Sequence, residues 1–259
     1  MIVQEGHCLK ALQLFRQLNK TFEIIHGQAR VAGAKRLLVL DSSFNPPHMG
    51  HYTLVKKALD HYKQDLHVLL LLSVNNADKP PKPATFDKRL EMMCLMAGML
   101  QEENIPTSVG ITVFGKFMDK SAAIQKDFCA EASVVYLVGF DTVVRIFDPK
   151  YYKPQLPSEA LREFMSQTEL FCLTRDTGAG VQTQLAYCGD IAKGAYEPDI
   201  PRQWAGKVHV VPNDDRFSSV SSSEIRERIH DPSFDLTSVL PSPIINYTRA
   251  KRPGSRIFE

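Results

Sequence analysis

No charge of one sign dominates this 259-residue chain: 31 Lys and Arg stand against 29 Asp and Glu, a net charge of +2. A general nucleic-acid binder would carry a basic field, so that class is set aside. Long hydrophobic runs are missing too. The segment His67-Val-Leu-Leu-Leu-Leu-Ser73 is far too short to span a bilayer. The first residues, with Glu5, His7 and Lys10, contain no signal-peptide core. Paired cysteines are absent as well. Cys8, Cys94, Cys129, Cys172 and Cys188 are scattered with no CxxC, which implies reduced thiols in an intracellular protein, cytoplasmic or nuclear. There is no internal repeat and no low-complexity tail. What is present, 44% apolar and 23% charged residues, is the balance of a soluble globular enzyme with a sizeable core.

Apolar spacing organises the chain. Leu9, Leu12, Phe15, Leu18, Phe22 and Ile25 recur every three or four residues, which predicts an amphipathic helix over 8–26. That helix either packs on the main domain or meets a partner, and it divides the chain into an N-terminal segment, 1–32, and a core, 33–259. Strands are expected at 37–41, 67–73, 109–114, 133–139, 169–174 and 207–211. Helices are expected at 50–63, 86–101, 119–130, 158–166 and 222–230, with a short one from Ile244 to Ala250. Val68–Leu72 and Val134–Val138 are apolar throughout, as in strands covered on both faces. Strand alternating with helix predicts an α/β fold with a Rossmann-like, doubly wound parallel sheet, whose ligands bind at the carboxyl ends of the strands. Residues 75–85 read as a polar, proline-rich loop, and 176–203 as a long loop or insertion.

Three segments carry chemistry. Asp41-Ser-Ser-Phe-Asn-Pro-Pro-His-Met-Gly-His51 joins a buried strand to a helix. Its prolines stiffen the turn, Gly50 permits close approach, and His48 and His51 can face one anion at a helix N-terminus. A zinc site is the competing reading, but no HExxH glutamate and no cysteine or carboxylate motif accompany the histidines. Val220-Ser-Ser-Ser-Glu-Ile-Arg226 follows an apolar strand. It is either a capped helix with surface ion pairs or a place where serine hydroxyls and the Arg226 fork meet a phosphate. Val138-Gly-Phe-Asp141 ends a buried strand, and Asp141 either accepts from ribose hydroxyls or caps the next helix.

Together these segments resemble the HxGH nucleotidyltransferases, and most closely the nicotinamide mononucleotide adenylyltransferases of the fungal branch. That family has a G-S-F-N-P-x-H/T-x-x-H turn, a G-x-D and an S-S-T-x-I-R. The resemblance covers about residues 36 to 230. It implies that Ser42, Ser43 and Phe44 approach the dinucleotide phosphates, and that His48 and His51 hold the ATP α-phosphate. It further implies that Gly139 and Asp141 meet the adenosine ribose, and that Ser222, Ser223 and Arg226 clamp the triphosphate. For the mononucleotide it implies Lys79 or Lys82, Arg89, Arg175, and Tyr151 or Tyr152 against the pyridine ring. Ser42 replaces the family glycine, which would lower phosphate affinity; Ser223 keeps the hydroxyl of the family threonine.

The resemblance implies AMP transfer from ATP to nicotinamide mononucleotide, or to its acid form, with Mg²⁺ on the ATP and small molecules as partners. The acceptor's phosphate monoester has a second pKa of about 6, so it attacks without a general base. Other HxGH nucleotidyltransferases, cytidylyl- or phosphopantetheine adenylyl-, are the enzymatic alternatives. A nucleotide-binding regulator with little turnover is the alternative of another class.

Overall fold

The computed structural model describes residues 6–74, 83–176, 180–214, 216–250 and 257–258. Among them, the strands β1 (Phe22–His26), β2 (Arg36–Asp41), β3 (Leu66–Ser73), β4 (Thr107–Thr112), β5 (Ser133–Gly139), β6 (Thr168–Leu173) and β7 (Val208–Val211) form one sheet. Their order is β1-β4-β3-β2-β5-β6-β7. β1 pairs antiparallel with β4, and every other pairing is parallel. The direction of winding reverses between β2 and β5, which leaves a crevice at their carboxyl ends.

The central strands are apolar on consecutive residues because both faces are covered. Leu37, Val39, Leu69, Leu71, Val134 and Tyr136 enter one core. Their neighbours Leu38, Leu40, Leu70, Val135 and Leu137 enter the other. That alternation follows from the two-residue repeat of a strand. Helices α1 (His7–Gln17), α2 (Met49–Tyr62) and α3 (Phe86–Glu102) cover the second core. On the first lie α4 (Phe117–Asp127), α5 (Phe140–Ile146), α7 (Arg162–Gln167), which follows the short α6 (Pro157–Ala160), and α8 (Val181–Ala192). A third cluster joins Met92 of α3 to Ile225 of α9 (Ser222–Arg228) and to Ile244 and Ile245 of α10 (Ser242–Arg249). It carries the C-terminal segment back to the mouth of the sheet.

Two expectations are corrected. The helix expected over 8–26 stops at Gln17, and Phe22–His26 is a strand whose pairing with β4 overrides the helical spacing. The segment 176–203, expected to be loop, contains α8, which buries Gln184, Tyr187 and Ile191 on one face. Flanking Gly and Pro residues masked that period.

Candidate active site

A cleft of about 270 Å³ opens at the crevice between β2 and β5. Ser42, His48, Gly50, His51, Gly139, Asp141, Arg175 and Ser222 all line it. Segments remote in sequence therefore converge where the topology allows a ligand.

The turn after β2 is held from several sides. Phe44 is fully buried although its φ is +46°, a left-handed conformation that costs about 1–3 kcal/mol for a bulky residue. Its burial in the second core offsets that cost. Arg226 donates from Nη1 to the Asn45 carbonyl at 2.7 Å and from Nη2 to Ser223 Oγ at 3.1 Å. Ser222 Oγ donates to the Pro46 carbonyl at 2.9 Å. Arg89 donates from Nε to the Ala84 carbonyl at 2.9 Å, and burial beside Arg226 lowers its pKa to about 10. Ser221 caps α9 by accepting from the Glu224 N–H at 3.2 Å. Ser221 thus caps α9, while Ser222 and Arg226 grip the backbone of the histidine turn.

The imidazoles lie against each other, ring centroids 3.8 Å apart and planes tilted by 36°. His51 Nδ1 accepts from the His48 backbone N–H at 3.1 Å, and its Nε2 lies 2.9 Å from Ser42 Oγ. A backbone N–H can only donate, so Nδ1 is bare and neutral His51 carries its hydrogen on Nε2. Ser42 Oγ then accepts from His51 and keeps its own hydroxyl hydrogen for the cleft. Ser42, which stands where the family has glycine, is thus the hydrogen-bond partner of His51 in the cleft wall. Burial, with Arg175 nearby, pushes the His51 pKa down to about 3. His48 is lowered well below the usual histidine value by burial, then by His51 and Arg175. Both rings are neutral near pH 7.

Helix α2 offers fewer free donors than the sequence suggested. Its Met49 N–H donates to the Val239 carbonyl at 2.8 Å, and the His48 N–H is taken by His51. Gly50 is needed for space: a Cβ there would lie 3.0 Å from the His48 ring. At Gly139 a Cβ would lie 2.9 Å from Asp141 Oδ1 and 3.5 Å from Arg175 Cδ. Asp141 is the second residue of α5 and makes no cap; its carboxylate stands 3.7 Å from both Arg175 and Arg145.

Tyr151 and Tyr152 lie apart from the histidines. They line a second cavity of about 300 Å³ with Lys116, Phe117, Met118 and Arg145. Thr142 borders both cavities. Tyr152 donates its hydroxyl to the Ile146 carbonyl at 2.5 Å, whereas Tyr151 is 53% exposed. Lys79 and Lys82 fall outside the described residues. Sequence reasoning missed Asp41, Asn213 and Phe217 in the cleft wall. It also missed Gln184, which holds Arg175 by accepting from its N–H at 2.9 Å and donating to its carbonyl at 2.7 Å.

Residues 39–228 match the cytidylyltransferase-like family. A protein of Schizosaccharomyces pombe, provisionally named nicotinamide mononucleotide adenylyltransferase, is 34% identical over 222 residues, 85% of this chain and 86% of that one. The chain belongs to the nicotinamide mononucleotide adenylyltransferase branch of that family. Among solved structures, Plasmodium falciparum nicotinic acid mononucleotide adenylyltransferase complexed with NaAD shares the fold at 13% identity. Its TM-score is 0.57 over 82% of this chain and 94% of that one. The same enzyme complexed with APC gives 0.54 at 12% identity. The present chain is thus a nucleotidyltransferase, and no helix among its described residues is long and apolar enough to cross a membrane.

Proposed function

We propose that this adenylyltransferase moves AMP from ATP to nicotinamide mononucleotide, with the nicotinic acid form as a second acceptor, giving a dinucleotide and pyrophosphate. One observation carries the reading. The cleft lined by His48, His51 and Arg175 and the aromatic cavity share Thr142, so a triphosphate in one and a pyridine ring in the other would bring donor and acceptor phosphates together.

The acceptor's phosphate, with a second pKa of about 6, attacks the α-phosphorus in line as an anion, and no side chain has to remove a proton. The protein's share is positioning and charge balance. The neutral His51 ring orients Ser42 toward the triphosphate, and the adjacent His48 ring supports it. Arg175, anchored by Gln184, neutralises charge on the phosphates, and Asp141 receives ribose hydroxyls. Arg226, with Ser222 and Ser223, holds the turn and closes on the β- and γ-phosphates when ATP enters. Mg²⁺ belongs to this reading as a passenger on the nucleotide. Among the described residues, the cleft carboxylates are Asp41, paired with Lys120, and Asp141, beside two arginines. With both carboxylates engaged by cationic side chains, such an ion would be held mainly by ATP oxygens and water. When bound, the ion supplies charge neutralisation on the phosphates.

The test is incubation of the chain with Mg²⁺, ATP and either mononucleotide, with dinucleotide and pyrophosphate measured together. Equimolar products support the reading. Dinucleotide formed with neither acceptor, while cytidylyl or phosphopantetheine transfer proceeds, would replace it.

A further inference from the structure

Asp41 ends β2 on the sheet face that carries Leu37 and Val39, the face covered by α4. Asp41 is one of the residues that line the cleft. Lys120 of α4 reaches it and donates from Nζ to Oδ2, both side chains being more than nine-tenths buried. One turn earlier, α4 presents Lys116, Phe117 and Met118 to the second cavity. The Lys120 ammonium also lies 5.1 Å from the centroid of the Phe117 ring. The pair therefore ties the wall of the first cleft, through Asp41, to the helix whose first turn walls the second cavity, and Thr142 borders both cavities.

Buried ion pairs are poor sources of stability. Well-packed apolar residues often replace them without loss, whereas removing one partner strands a buried charge. An ion pair in the wall of an anion site invites a reading in terms of charge. The acceptor's phosphate passes the junction of the two cavities if its ring occupies the second, and an uncancelled Asp41 carboxylate in the cleft wall would repel it. We propose that Lys120 is a positioning residue for the acceptor: it cancels the Asp41 carboxylate and lets a dianionic phosphate occupy the junction. This rests on the reading given under Proposed function.

The experiment compares wild type, Lys120→Met, Asp41→Asn and the double variant Asp41→Asn/Lys120→Met. The readouts are kcat, KM for acceptor and for ATP, pyrophosphate affinity by calorimetry, and melting temperature. Lys120→Met should raise acceptor KM about tenfold or more, as expected for one added charge a few ångströms from a phosphate, with a smaller effect on ATP. The double variant should return acceptor KM to within about threefold of wild type, and Asp41→Asn should bind pyrophosphate at least as tightly as wild type. Unchanged acceptor KM in Lys120→Met, or equal impairment in Lys120→Met and the double variant, would overturn the proposal, since packing alone predicts no such asymmetry. If Lys120→Met fails to fold, Asp41→Asn should bind pyrophosphate more tightly than the double variant, and equality would overturn the proposal. If wild type forms no dinucleotide, the proposed function fails. The charge assignment is then decided by pyrophosphate, whose affinity should fall in Lys120→Met and recover in the double variant.

Discussion

Helix α2 carries histidines at both ends, and each end sets one against a second, tilted imidazole. At the N-terminus, His48 and His51 lie 3.8 Å apart beside a cleft, with Arg175 nearby. At the C-terminus, His61 lies 5.1 Å from His209 of β7, and His209 meets Glu169 at 3.0 Å. Tyr62 donates to the same carboxylate at 3.1 Å, and Arg36 stands 3.7 Å from it. In the second pair a carboxylate stands beside the rings, His61 is exposed, and neither residue borders the two cavities described above. The first is surrounded by cationic and neutral donors at the positive end of a helix dipole, where incoming negative charge is welcome. A histidine pair thus signals an anion site through its surroundings rather than its spacing.

The sharpest way to break that contrast is to remove one ring from each pair. His51→Ala should lower kcat about 10²–10³-fold, because it unseats the Ser42 hydroxyl, and the loss of one preorganised donor costs roughly 3–4 kcal/mol. His61→Ala should leave turnover within about twofold, as for a surface substitution remote from the chemistry. Steady-state kinetics on both decide it, and equal effects would erase the distinction. Next, Arg226→Ala forfeits a charge-assisted bond of about 1.5–3 kcal/mol to Asn45, so KM for ATP should rise roughly tenfold or more, and more than KM for the acceptor. Gly50→Ala should separate activity from stability. The new Cβ presses on the His48 ring and should slow turnover about tenfold, while helix propensity keeps the melting temperature near wild type.

The smallest effect concerns acid. Below about pH 6.5 the unfolded chain protonates His51, while the folded chain holds it neutral down to about 3. The unfolded state then binds more protons, so stability rises with pH across this window and is lost as pH falls through it. His51→Asn should remove its share of that slope in melting temperature between pH 3 and 6.5. An unchanged slope would mean that the ring is not desolvated.

Much of the fold was legible because buried parallel strands are apolar on every residue, and β2, β3, β5 and β6 stand out as short runs. β1 was not legible, since Phe22 and Ile25 continue the helical spacing of Phe15 and Leu18 and acquire strand character only by pairing with β4. The histidine turn could be read because a strand, prolines, Gly50 and a helix follow one another locally. Contacts between distant residues could not. Ser222 and Arg226 reach the turn across sequence separations of 176 and 181. Lys120 meets Asp41 across 79, and a lysine in the middle of an amphipathic helix carries no mark of that partner. Gln184 was hidden inside a segment that reads as loop.

The most direct measurement is ¹⁵N NMR of the histidine side chains at pH 7, before and after saturating ATP. His51 should be neutral with its hydrogen on Nε2, and ATP should shift His48 and His51 while leaving His61 and His209 in place. A charged His51 ring, or an ATP complex that leaves the His48–His51 pair unmoved, would contradict a neutral imidazole pair that aims Ser42 at the nucleotide.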